Sequence, residues 1–196
     1  MSMILDPTIA EPHVRRFTRD EYYRMGELGW FEGQRVQLLD GEIVVMSPQK
    51  WRHASTIDRI AELLRSRLGD RFWVRMQLPL NLNDLSEPEP DVSVLPGKRE
   101  DFHDHPTTAL LVVEVADSSL AIDRNRKTKL YAAAGIPEYW IIDLVHDALE
   151  VFRKPQEDPS RPGKFLYAER SVLRPGEMIS PLLEPAATIA VAEILA

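Results

Sequence analysis

The chain has 196 residues, of which 44% are hydrophobic and 28% charged. That is enough for a compact domain with a sizeable core, and it excludes disorder as the main state. Lys and Arg number 24 against 31 Asp and Glu, a formal charge of −7, and Cys is absent. The charge excludes a base-coated binder of polyanions, so a phosphate-binding surface must be local, built from a few cations or from a metal held by the acids. The lack of thiols excludes disulfides, thiolate metal sites and cysteine nucleophiles.

Residues 1–12 lack the positive start and apolar stretch of a signal peptide, and no run approaches the roughly 18 apolar residues of a membrane span. A cytoplasmic protein with no membrane partner is expected. No internal repeat is present, and the 15 prolines are spread along the chain, so one domain over 1–196 is expected.

Thr18 followed by Glu21 is a capping box, and Gly29 is a stop, which predicts a helix over 18–29. The runs 35–39 and 42–46 flank Asp40-Gly41, a strong two-residue hairpin signal. Ile57, Ile60, Ala61, Leu64 and Leu68 recur at helical steps before Gly69, predicting an amphipathic helix over 55–68 with His53 just before it. Strands are predicted at 72–80, 91–95, 110–115, 138–143, 149–153 and 164–169. A helix over 124–134, capped by Asp123 and ended by Gly135, separates the third and fourth of these. Strand, helix, strand is a crossover, so 110–115 and 138–143 should run parallel in one sheet. Hairpin-like neighbours make that sheet mixed.

The near-continuous apolar run 109–115 reads as a central strand, yet it carries Glu114. A buried carboxylate must be neutral, ion-paired or bound to a metal. If 91–95 pairs antiparallel with 110–115 so that Val94 opposes Leu111, Asp91 opposes Glu114. Opposed residues have Cβ atoms about 4.5–5.5 Å apart, close enough for two carboxylates to grip one small cation. Lys127 lies in the first turns of the crossover helix, near the same sheet edge, and Tyr131 shares its face four residues on. Arg124 and Arg126 point elsewhere and are read as solvated. Taken singly, each residue has a plainer reading: Asp91 as a turn residue, Glu114 as the partner of an arginine, Lys127 as a surface lysine. His53 is either a contact to phosphate or metal or a capping and packing residue. Tyr131 either hydrogen-bonds into the site or packs. Lys50, Trp51 and Arg52 offer charge and a stacking plane, as any exposed loop would.

Four stretches carry a family resemblance: Arg35-Val-Gln-Leu-Leu-Asp-Gly-Glu-Ile-Val-Val-Met-Ser-Pro48 with His53; Pro90-Asp-Val-Ser-Val94; Val113-Glu-Val-Ala-Asp-Ser-Ser119; and Asp123 through Lys127 and Tyr131 to Gly135-Ile-Pro-Glu-Tyr-Trp-Ile-Ile-Asp143. In their order and spacing, over about 17–153, the chain resembles the "putative restriction endonuclease" family of the PD-(D/E)XK nuclease superfamily. The resemblance implies an α/β (α+β) restriction-endonuclease-like fold, a central mixed β-sheet flanked by helices, with a C-terminal hairpin and tail over 147–196. It implies a metal-dependent DNA endonuclease, with Asp91 and Glu114 as ligands of Mg²⁺, for which Mn²⁺ could substitute, Lys127 as the catalytic lysine, and no organic cofactor. The superfamily's usual lysine stands two residues after the acid, where this chain has Ala116, so the role passes to Lys127. The family tends to carry glutamate where this chain has Gln37, which keeps a donor oxygen but loses a charge. Gln37, His53 and Tyr131 are accessory candidates.

The implied reaction is phosphodiester hydrolysis with one or two Mg²⁺ held by Asp91, Glu114 and a backbone carbonyl near Val115. A homodimer is expected because double-strand cutting by a single-site enzyme needs two copies, with the C-terminal hairpin and the apolar tail 190–195 as an interface or as packing on the chain itself. Two alternatives stand beside this: a catalytically weak or inactive relative that binds nucleic acid or a protein partner, and a metal-dependent hydrolase acting on a small phosphorylated substrate.

Overall fold

The computed structural model describes residues 14–196; the absence of a targeting signal in 1–12 lies outside the described residues. Helix α1 (Arg19–Glu27) opens with the expected capping box, Thr18 accepting from the Glu21 amide while Glu21 accepts from the Thr18 amide. Strands β1 (Val36–Leu39) and β2 (Glu42–Val45) form the expected hairpin. Asp40 and Gly41 both have positive φ, as a type I′ turn demands. A Cβ at Gly41 would collide with Arg16.

Helix α2 (Trp51–Leu68) begins a turn earlier than its apolar stripe, so His53 sits inside the first turn rather than before the helix. Long-range contacts hold that turn: Arg52 donates to the Leu144 carbonyl and Asp147, and Lys50 pairs with Asp117. Strand β3 (Phe72–Met76) stops short of residue 80 because Gln77 has φ of 51°. It is followed by β4 (Val92–Pro96) and β5 (Leu111–Ala116).

The crossover is one helical stretch in three parts: α3 (Leu120–Ile122), a π turn over Asp123–Lys127, and α4 (Thr128–Ala133). Asp123 is therefore not a cap but a buried residue within the stretch. Strands β6 (Glu138–Asp143), β7 (Ala148–Glu157) and β8 (Phe165–Leu173) follow, the last two longer than predicted. Two strands without a sequence signal, β9 (Met178–Ile179) and β10 (Ile189–Ala190), pair with each other before α5 (Val191–Leu195).

The main sheet has the order β3-β4-β5-β6-β7-β8. β5 and β6 are parallel and the other pairs antiparallel, so the sheet is mixed as expected. Val94 opposes Leu111 and Val92 opposes Val113, the predicted register. One face packs Val92, Val94, Leu111, Val113 and Val115 against Ile57, Ile60 and Leu64 of α2. The other packs Val112, Ala116, Tyr139 and Ile141 against Tyr131 and Ala132 of α4. Each fully buried Leu or Ile here contributes about 2 kcal/mol. Strict alternation along β5 then leaves Glu114, between Val112 and Ala116, on the α4 face. Val191 and Ile194 of α5 are buried in the α2 layer, so the tail packs on its own chain. Among the described residues, no helix is long and apolar enough to cross a membrane.

Candidate active site

Asp91 immediately precedes β4, one step beyond the Val92 and Val113 pair, and so faces Glu114. Its Oδ2 accepts from the Val115 amide at 2.8 Å, which ties the carboxylate to the neighbouring strand. His53 brings its Nε2 to 3.5 Å from the same oxygen, while its Nδ1 is buried without a partner.

Glu114 receives two donors from the crossover. Lys127 Nζ lies 2.8 Å from Glu114 Oε1, and the Tyr131 hydroxyl donates to that oxygen at 2.7 Å. The phase of the helix explains both, since residues four apart share a face. The partner of Glu114 is thus a lysine and not an arginine. Lys127 also approaches Asp123 Oδ1 at 3.5 Å, an atom with no hydrogen bond, while Ser119 donates to Asp123 Oδ2 at 2.5 Å. In the π turn the Asp123 carbonyl accepts from the Thr128 amide, and the Thr128 and Tyr139 hydroxyls donate to it as well.

Asp91, His53, Glu114, Ser119, Asp123 and Lys127 line one cavity of about 160 Å³, together with Gln37, Lys50 and Asp117. Gln37 is buried and accepts through Oε1 from the Glu89 amide at 3.3 Å. Trp51, beside Lys50 at the start of α2, is 84% exposed.

Charge is out of balance here. Asp91, Glu114 and Asp123 are buried with a single buried ammonium, Lys127. Burial pushes the Glu114 carboxyl up to about 8; Lys127 opposes the rise, and Asp123 and Asp91 add to it. Burial also raises Asp91, against the pull of His53 and Lys127. For Lys127, burial works against the charge, but Glu114 and Asp123 outweigh it and hold the ammonium above its ordinary range. Burial and Glu114 keep Tyr131 protonated, as a donor must be.

Among the described residues, no three acidic or histidine side chains are arranged as a ready metal cage. The Lys127 ammonium covers Glu114 Oε1 instead. The donor set itself suits a hard divalent cation: three carboxylates carry more charge than one lysine cancels, and one buried oxygen, Asp123 Oδ1, is unbonded.

Asp91, Glu114, Lys127, Gln37, His53 and Tyr131 all gather at this cavity or in contact with it. Asp123 was missed as a site residue, although its four-residue spacing from Lys127 was a usable signal. Arg124 and Arg126 are not merely solvated: Arg124 donates to Glu150 and Asp143, and Arg126 to Glu42 and the Leu39 carbonyl.

Comparison with known proteins adds two findings. A family model described as "Uma2: Putative restriction endonuclease" matches residues 19–192. The fold is similar to the crystal structure of "a putative nuclease belonging to DUF820" from Anabaena variabilis, with a TM-score of 0.68 at 14% identity over 91% of this chain and 97% of that one. Among curated proteins no sequence matches.

Proposed function

The chain belongs to the Uma2 family of "putative restriction endonucleases", and from that premise we propose that it is a Mg²⁺-dependent DNA endonuclease acting as one domain. The observation that carries this reading is the set of three buried carboxylates served by one ammonium at a single cavity.

Asp91 and Glu114, with Asp123 as a third carboxylate, would hold the ion, and Mn²⁺ could replace it. A bound divalent ion supplies an acidified water and positive charge against the phosphate oxygens. Asp91 is oriented by the Val115 amide and His53, so its second oxygen can be presented to a ligand. Tyr131 steadies Glu114. Lys127, already within hydrogen-bond reach of Glu114, is the donor to a phosphate oxygen or the group that orients the attacking water. Cutting both strands calls for a second copy, so the working form is read as a homodimer, which sedimentation in the presence of duplex DNA would check.

A plasmid-nicking assay with Mg²⁺ or Mn²⁺ tests the reading. The parent should nick and Glu114→Gln should not; equal cutting by both would overturn the site.

One observation favours a second reading, a weak or silent relative that binds nucleic acid or a protein. Gln37 stands in the cavity where the family resemblance expects glutamate, and its oxygen is engaged with the Glu89 amide. Gln37→Glu separates the two: stronger Mn²⁺ binding and faster cutting indicate a tuned nuclease, whereas no metal binding by either form indicates a binding role.

A further inference from the structure

Two cations are buried among the described residues, Lys127 and Arg75. Lys127 has Glu114. Arg75, 3% exposed on β3, has no carboxylate within ion-pair distance among the described residues. Its Nη2 donates to the Pro79 carbonyl at 3.2 Å, and its Nε and Nη1 are buried with no hydrogen-bond partner at all. A guanidinium stays charged at every physiological pH. Leaving it dry and unpaired is strongly unfavourable, and its unused N–H groups, one on Nε and two on Nη1, suit the oxygens of an anion such as phosphate.

Arg75 lines a pocket of about 490 Å³, well apart in its lining from the carboxylate cavity. The pocket is flanked by Trp73 and Phe102, whose rings lie 5.3 Å apart, and the guanidinium sits over Trp73 at 4.9 Å. Cation–π contact compensates part of the buried charge but uses none of its N–H groups. The lining also holds Arg99, His103 and His105 with the acids Glu100 and Asp104, and Arg75 is its one buried cation. The register gives its position: Arg75 opposes Ser93, and Asp91 lies two residues before Ser93 on the same strand. The pocket therefore opens on the sheet face that carries Asp91 and Glu114, about 6–7 Å along the strand from the carboxylates and one strand nearer the edge.

We propose that Arg75 is the anchor of a phosphate subsite, taking a phosphate group of the nucleic-acid strand next to the one hydrolysed, with Trp73 and Phe102 against the adjoining base or sugar. Its place beside the carboxylates rests on the nuclease reading; its anion chemistry does not. Binding at such a subsite is electrostatic and indifferent to sequence, apart from stacking on the aromatic pair.

The test compares the parent with Arg75→Gln and Arg75→Lys in EDTA, where cleavage is blocked. The probes are a fluorescein-labelled 12-nucleotide single strand, read by anisotropy, and inorganic phosphate, read by thermal shift. Arg75→Gln removes an unpaired buried charge and should melt at or above the parent temperature, and Arg75→Lys keeps the charge but not the planar set of N–H donors. Weaker strand binding by about tenfold in both variants, with a log–log salt slope reduced by about 1 in Arg75→Gln, supports the subsite. A phosphate-induced shift lost in both variants while strand binding is unchanged keeps the anion site and assigns it to free phosphate or a mononucleotide. Parent-like behaviour of both variants towards both probes overturns the proposal. Should plasmid nicking prove indifferent to Glu114→Gln while Arg75-dependent phosphate binding persists, the nuclease reading fails and the anion site stands.

Discussion

The six-stranded sheet buries two sets of acids and treats them in opposite ways. Around β6 and β7, Glu138, Asp143 and Glu150 are at most 1% exposed, and each meets an arginine: Arg153 for Glu138, Arg124 for Asp143, and Arg124 with Arg170 for Glu150. Their remaining lone pairs are also used, since Trp140 and the Leu182 amide donate to Glu138, and the Val145 and His146 amides to Asp143. Around β4 and β5, Glu114 and Asp123 divide one lysine, and Asp91 has only His53 and the Val115 amide. Saturated acids with fork-shaped partners are structural, because nothing is left to bind anything else. An undercompensated set in a cavity is the arrangement expected where a cation or a reaction supplies the missing charge.

The comparison breaks most visibly in activity. Asp91→Asn or Glu114→Gln should lower DNA nicking by about a thousandfold or more. The melting temperature should hold or rise, because burial already opposes ionisation of both carboxyls and a neutral amide avoids that cost. A matching loss of stability would place these acids with the structural set.

The mirror experiment is Glu138→Gln. It weakens the pair with Arg153, leaving a guanidinium that is only partly exposed, and should remove about 3 kcal/mol in urea unfolding. For a chain of this length, that is about 6–12 °C in melting temperature. The folded fraction should still nick DNA at the parent rate per molecule. A selective loss of rate would blur the line between the two sets.

Metal addition is the next lever. Mn²⁺ at a hundred times its dissociation constant should stabilise the parent by about 2.7 kcal/mol, and Glu114→Gln should lose most of that gain. Glu138→Gln should keep the whole gain, which scanning calorimetry can read directly.

Tyr131→Phe is a milder probe of the same side. The hydroxyl donates to Glu114 at 2.7 Å in a fully buried setting. Its loss should slow nicking by about tenfold while the packing against Tyr139 survives. A change in stability alone would make Tyr131 a packing residue.

Why was so much of the weaker-paired site readable? Alternation along 110–115 fixed the face of Glu114, the pairing of Val94 with Leu111 fixed Asp91 opposite it, and helical phase joined Lys127 to Tyr131. Each follows from a local period. What escaped depends on distant partners. The first turn of α2 is held by Arg52 on Leu144, and the π turn that buries Asp123 is completed by Tyr139, sixteen residues away. Arg124 looks like a surface arginine until β7 brings Glu150 beneath it. Arg75 carries no pattern at all, because its meaning lies in the partner it lacks.

The smallest effect concerns the sign of a pH dependence on the saturated side. Burial alone would raise the Asp143 carboxyl, but the His146 side chain and amide and the Val145 amide reverse this and hold it below the usual carboxylate range. A folded value below the unfolded one means that the native state binds this proton less tightly. The ionised group therefore contributes stability above about pH 4, and that contribution is lost as pH falls through the folded value. Asp143→Asn should be modestly less stable than the parent at pH 7, and the two unfolding curves should converge as the pH falls below about 4. A gap of constant size across that window would mean that shape, not charge, is what the turn after β6 requires of residue 143, and the contrast with Glu114 would then rest on geometry alone.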